Sequence, residues 1–351
     1  MKDVTKSVGF AVIFLFASCA GALAADYIAG VQTLSVTSGE RATDLEVTIW
    51  YPADEGGTAV TLGENIFFKG TPAEEGAPIR NGEFPLVLLS HGAGLAGHAG
   101  AMGWIAAPLA QEGFIVAAPT HPGNTGRDRS AEETMKLWLR PSDLSKTLDM
   151  IEGDQTFHSH VARDQIGVLG LSMGGNSALS IAGARLDPEL FATYCDTDDL
   201  NASLCEWVRL SGVDLHAMDK GAAGRDNTDP RVRFAVAIDP APADVFAPAS
   251  FADVSVPVFI VNLGKASEIP ETIQASGIAG AIPGATYQII EAASHASMFP
   301  ECKRHAAEIA IEEGIEDPIC TDGSGSSRDA IHAEIIGLTI SAFRNAIGSA
   351  D

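Results

Sequence analysis

The chain has 351 residues, 46% of them apolar, and carries 46 acidic against 22 basic side chains for a formal net charge of −24. That charge argues against nucleic acid and anionic membrane surfaces as partners and implies an acidic, solubilising shell. The length fits a single large domain with insertions, and no heptad run, internal repeat or long linker divides it.

Lys2 and Lys6 precede the apolar run VGFAVIFLFASCAGALA, which is too short for a comfortable membrane span. It ends in Ala22-Leu23-Ala24, the small-x-small pattern of a signal-peptidase site. The pattern predicts a signal peptide over 1–24 and a mature chain over 25–351 that is periplasmic or secreted and has no stable membrane span. Cys19, after FAS, offers the competing reading of a lipid-anchored residue, although Phe16 stands where a leucine is usual.

Short β-rich apolar runs then recur. YIAGVQTLSV (27–36) and LEVTIWYPA (45–53) lie close enough to be antiparallel neighbours. FPLVLLSHG (84–92), GFIVAAPTH (113–121), IGVLGLS (166–172), RFAVAID (233–239), VPVFIVNLG (256–264) and TYQIIEA (286–292) follow. The later runs are nearly continuous in apolar residues, as strands covered on both faces must be. Helices are expected between them at about 101–112, 131–152, 175–187, 271–282 and 328–347. The alternation predicts an α/β fold, a mostly parallel central sheet of about eight strands flanked by helices, with an antiparallel start.

The polar, acidic stretch 188–230 breaks this rhythm and reads as an insertion or cap over the carboxyl edge of the sheet, where open α/β sheets bind ligands. A surface excursion without such a role fits the composition equally. Without Cys19 the chain keeps Cys195, Cys205, Cys302 and Cys320. An even count in an exported chain favours two disulfides, and four cysteines allow three pairings. The local pairing, Cys195–Cys205 and Cys302–Cys320, closes short loops. Without any C-x-x-C the spacings do not suggest zinc, and no metal is expected.

Gly170-Leu171-Ser172-Met173-Gly174 is a G-x-S-x-G string at a strand-to-helix junction. A tight reversal there pushes the Ser172 hydroxyl above the sheet and turns the Met173 N–H toward it. Ser172 is the candidate nucleophile and needs a base. Of the nine histidines, His295 follows the last expected strand and emerges at the same sheet edge, which makes it the candidate base. His98, His216, His305 and His332 read as surface or loop residues. A carboxylate must orient the imidazole. Asp239 caps RFAVAI directly, while Glu268 lies several loop residues beyond the next strand and is the alternative acid. The glycine-rich turn Ser90 to Gly94 supplies a second oxyanion donor, the Ala93 N–H, to converge with that of Met173. His91 reads as a brace for that turn.

SHGAG, PTHPGNT, GLSMGG, AIDPA and ASHASMF together, in this order over about 27–300, resemble the α/β-hydrolase superfamily. The nearest branch is similar to exported dienelactone-hydrolase-like proteins related to platelet-activating-factor acetylhydrolases. In that branch the triad aspartate follows the strand after the nucleophile helix, which implies Asp239. The Gly264-Lys265-Ala266-Ser267 loop lacks the aspartate that many other members place there. Dienelactone hydrolases themselves use cysteine, so serine here detaches the family name from the substrate. The resemblance implies an exported serine esterase cleaving carboxylic esters through a Ser172–His295–Asp239 triad and an acyl-enzyme. Its partner would be a small-molecule ester, with no cofactor. An amidase or peptidase on the same fold, or a noncatalytic binding protein, are the alternatives. Trp104, Met298 and Phe299 are candidate pocket walls; oligomeric state is open.

Overall fold

A computed structural model of the protein describes residues 27–125, 128–315, 317–323 and 325–348. The expected signal peptide over 1–24, with Cys19, lies outside the described residues. Among those described, no helix is long and apolar enough to cross a membrane.

The first strands are β1 (Ile28–Ser38), β2 (Thr43–Ala53), β3 (Thr58–Leu62), β4 (Thr71–Glu75), β5 (Phe84–Ser90) and β6 (Ile115–Pro119). A two-stranded ribbon follows, β7 (Asn124–Thr125) and β8 (Asp128–Arg129), and then β9 (Val161–Leu171), β10 (Phe234–Ile238), β11 (Val258–Leu263) and β12 (Thr286–Ile290). Ten of these form one sheet in the order β12-β11-β10-β9-β5-β6-β2-β1-β4-β3. Each of the eight expected runs is a strand of it. The two extra strands, β3 and β4, of five residues each, form a hairpin at the edge, half-polar and too short to leave a periodic signal.

β2 pairs antiparallel with both β1 and β6, whereas β6, β5, β9, β10, β11 and β12 run parallel. From β5 the chain crosses through α1 (Gly103–Gln111) to β6 on one side. It then returns through α2 (Ala131–Met135) and α3 (Leu139–Gly153) to β9 on the other. The direction of winding reverses at β5, so the loops leaving β5 and β9 diverge and open a crevice between their carboxyl ends. Ser90 stands beside Gly170 across that pair.

The helix expected over 131–152 is two helices. Pro141 lacks an N–H and sits in the first turn of α3, where that donor has no intrahelical acceptor; further inside a helix its ring would clash. Lys136 leaves the helical region (φ −72°, ψ 61°) and makes the break. After β9 come α4 (Met173–Ile181), then α5 (Pro188–Thr193), α6 (Ala202–Leu210) and α7 (Lys220–Ala223). The side chains of Asp187, Asn201 and Asp219 cap these last three, accepting from first-turn amides. Cys195 is bonded to Cys205 within this stretch. Phe191 meets Trp138 edge-on at 5.6 Å, so α5 rests on the α3 face of the sheet. The remaining helices are α8 (Ser276–Ala281), α9 (Ala306–Glu312) and α10 (Arg328–Gly348).

Two apolar layers fill the space on either side of the sheet. One joins Leu86, Leu88, Val168 and Ala237 to α3 and α4; the other joins Val87, Leu89, Leu169 and Val236 to α1 and α10. Alternate residues of one strand thus enter opposite layers, which is why these strands read as unbroken apolar runs.

Candidate active site

β9 is apolar until Leu171, and the chain then reverses into α4 through Ser172, whose backbone sits at φ 54°, ψ −121°. Few non-glycine residues adopt that region, and its strain is held by hydrogen bonds from Ser172 N–H to Ile238 O (2.9 Å) and from Ala241 N–H to Ser172 O (3.0 Å). The flanking glycines are steric necessities. A Cβ on Gly170 would lie 1.9 Å from Gly174 O, and one on Gly174 would lie 1.8 Å from Ser90 O.

Ser172 Oγ lies 3.1 Å from His295 Nε2. His295 Nδ1 donates to Asp239 Oδ2 at 2.9 Å, a bond that leaves Nε2 as the acceptor for the serine proton. Asp239 is fully buried at the end of β10 with φ 43°, a left-handed conformation that aspartate tolerates better than most residues. Its other oxygen, Oδ1, accepts from Asn262 Nδ2 and Leu263 N–H, each at 2.8 Å. Three donors therefore surround a buried carboxylate that would otherwise be costly to desolvate.

Asn262 is a residue that the sequence reading passed over. It is fully buried in β11, and its amide also donates to Ile273 O while its oxygen accepts from Ala275 N–H and Tyr287 OH. The signal for it was a lone asparagine in the apolar run VFIVNLG. Glu268, the alternative acid, is instead an exposed side chain paired with Lys265 at 3.0 Å.

His295 opens a short 3₁₀ turn, His295–Met298, in which Ser294 and Ser297 cap each other's backbone. Ser297 Oγ donates to Asp322 Oδ1, which also accepts from Arg328 Nε; Arg328 further donates to Phe299 O and Pro300 O. His332 on α10 donates from Nε2 to Ser297 O (2.9 Å) and Phe299 O (3.1 Å) and stacks on Trp104 with ring centres 3.8 Å apart. This corrects its reading as a surface residue: burial holds its imidazole down at a pKa of about 4. The Cys302–Cys320 disulfide closes the segment that follows.

Ala93 and Met173 both border the hollow over Ser172 or the turn that carries it. Among the described residues neither amide donates to a backbone or side-chain acceptor. The hollow holds about 40 Å³ and is walled by Gly92, Ala93, Ala96, Met102, Leu171, Met298 and Phe299 around Ser172 and His295. Trp104 is not part of that wall, nor is any residue of 188–230. A larger, open depression of about 510 Å³ lies near Glu83, His158 and Arg163, at the opposite end of β9. Among the described residues no three His, Cys, Asp or Glu side chains gather as a metal site.

Residues 86–310 match the model of the alpha/beta hydrolase family. A search of the curated proteins finds no match. Among solved structures, a ferulic acid esterase from Streptomyces cinnamoneus is similar at 20% identity and a TM-score of 0.59, over 93% of this chain and 91% of that one. A chain from Bacteroides ovatus named as a dipeptidyl aminopeptidase IV is 12% identical with a TM-score of 0.46, over 91% of this chain and 36% of its own length. With the family model covering most of the chain, a mostly parallel sheet between helical layers, and two disulfides, the protein belongs to the alpha/beta hydrolase family.

Proposed function

We propose that the protein is an exported serine esterase that cleaves carboxylic esters through an acyl-enzyme. The observation that carries this reading is the unbroken chain Ser172 Oγ–His295 Nε2 (3.1 Å) and His295 Nδ1–Asp239 Oδ2 (2.9 Å) at the floor of an apolar hollow. Ser172 Oγ attacks the ester carbonyl as its proton passes to His295 Nε2, and Asp239 stabilises the imidazolium that forms. The oxyanion is held by the Ala93 and Met173 N–H groups, each worth about 2.7–4 kcal/mol in comparable sites. His295 then hands the proton to the departing alcohol. Water, deprotonated by the same nitrogen, releases the acid and restores Ser172.

Among the described residues no carboxylate, lysine or arginine side chain lines the hollow, which suits an uncharged acyl group. The two disulfides favour an oxidising compartment, in keeping with a signal peptide over 1–24 and a periplasmic or secreted mature chain. The order of motifs supports placement near the dienelactone-hydrolase-like branch related to platelet-activating-factor acetylhydrolases. The 188–230 stretch packs on the α3 face, and an influence on substrate access would have to come from beyond the immediate walls of the hollow.

The test is hydrolysis of an activated short-chain ester by the wild type and Ser172→Ala. The expected result is turnover by the wild type and a loss of at least ~10³-fold in the variant. Equal, negligible rates in both would point to a noncatalytic binder and reject the reading.

A further inference from the structure

Behind the turn that carries Ala93 lies a second serine–histidine–aspartate chain. Ser90 Oγ donates to His121 Nε2 at 2.9 Å, and His121 Nδ1 donates to Asp143 Oδ2 at 2.8 Å. Its distances match those of the Ser172 chain, but Ser90, His121 and Asp143 are all fully buried, so no substrate can reach them. Arg41 closes the far end, with Nε and a terminal nitrogen on the Asp143 carboxylate and the other terminal nitrogen on Glu133. A buried ion pair of this kind is costly to desolvate and gives weak evidence for added stability, so its position carries the interest.

That position is one hydrogen bond from the oxyanion turn. The His121 N–H donates to His91 Nε2 at 3.0 Å, which leaves His91 Nδ1 to donate to Gly92 O at 2.6 Å. Arg140, also buried, donates to His91 O at 2.7 Å. Burial pushes both imidazoles well below their ordinary pKa, so each is neutral with its single proton on Nδ1, as these bonds require. In a planar trans peptide the carbonyl and the following N–H point in opposite directions. Gly92 O is drawn inward to a buried ring, so the N–H of Ala93 in the same peptide faces outward, to the side where the hollow lies. Gly92 itself is close to the nucleophile, because a Cβ there would be 3.2 Å from Ser172 Cβ.

We infer that His91 is a positioning residue for the oxyanion donor, and that the Arg41–Asp143–His121–Ser90 chain exists to hold His91 in the orientation that aims the Ala93 N–H. The inference rests on the esterase reading. It adds a reason for four buried polar side chains that the triad does not use, and it gives the sequence PTHPGNT a role through His121.

Paired oxo- and thionoesters of the same alcohol test it. Sulfur is longer-bonded and a poorer hydrogen-bond acceptor, so the ratio of kcat/KM for the two esters reads how well the oxyanion donors are aimed. A purely structural lesion slows both esters alike. His91→Ala is expected to lower kcat for the oxoester about 30-fold with KM within threefold, and to lower the oxo:thiono ratio about tenfold. His91→Asn, whose side-chain amide can still donate to Gly92 O, is expected to restore the ratio to within threefold. Ser90→Ala removes one hydroxyl without disturbing packing, and it guards against a His91→Ala chain that does not fold. It frees one anchor of His121 and should lower the ratio about threefold. A ratio within 1.5-fold of wild type in every folded variant overturns the inference and leaves the esterase reading standing. A wild type that turns over neither ester overturns both.

Discussion

Asp239 shows how much of the site rests on single atoms. Its Oδ2 fixes the His295 tautomer, and its Oδ1 is occupied by Asn262 and Leu263 N–H. Replacing the carboxylate by an amide keeps the shape but allows the wrong imidazole tautomer. Asp239→Asn should therefore lower kcat by about 10⁴, measured by steady-state ester hydrolysis. Glu268→Gln breaks only an exposed ion pair with Lys265 and should leave kcat within twofold. The inverse pattern would move the acid to the later strand. The candidate triad was legible because Ser172 and Asp239 directly end apolar runs, His295 follows the last one, and strand ends converge at one sheet edge. Asn262 and His332 were not, because the importance of each lies in partners distant in sequence. For His332 those are Ser297 O and Phe299 O, 35 and 33 residues away.

At the scale of the element, the His295 turn has little regular structure of its own and is held from outside by α10 and the Cys302–Cys320 loop. Closing a loop of that length restricts the unfolded chain by on the order of 3 kcal/mol. The Cys302→Ala/Cys320→Ala chain should lose about that much stability in a denaturant titration. His332 makes α10 a pH-dependent prop. With a folded pKa of about 4 against 6.5 unfolded, the unfolded chain binds the extra proton. The neutral ring's contribution is full above pH 6.5 and is lost as the pH falls toward 4. His332→Gln should therefore flatten the decline of unfolding free energy over pH 6.5 to 4.5 by up to one proton, about 1.4 kcal/mol per pH unit. Identical slopes in both chains would refute that role. The break between α2 and α3 could have been read from Pro141. The β3–β4 hairpin could not, since short half-polar strands at a sheet edge carry no period long enough to separate from a loop.

For the whole molecule, the winding reversal at β5 puts the Ser90–Gly94 turn beside the Ser172 turn, and the parallel order β9-β10-β11-β12 delivers Asp239 and His295 to the same edge. Sequence patterning was enough for that architecture because strands covered on both faces need continuous apolar residues. It gave no account of how the buried charges of Arg41 and Asp143 neutralise each other across 102 positions, or of the His91 carbonyl that buried Arg140 meets. Among the described residues two serines are bonded to a histidine–aspartate pair; Ser172 borders the hollow, whereas Ser90 is fully buried. A fluorophosphonate phosphonylates an activated, accessible serine with loss of fluoride, so intact-mass and peptide-mapping spectrometry after stoichiometric treatment is the most direct test of this account. It predicts a single adduct on Ser172, abolished in Ser172→Ala and slowed by at least ~10³-fold in His295→Ala. An unlabelled wild type, an adduct on Ser90, or equal labelling rates with and without His295 would contradict it.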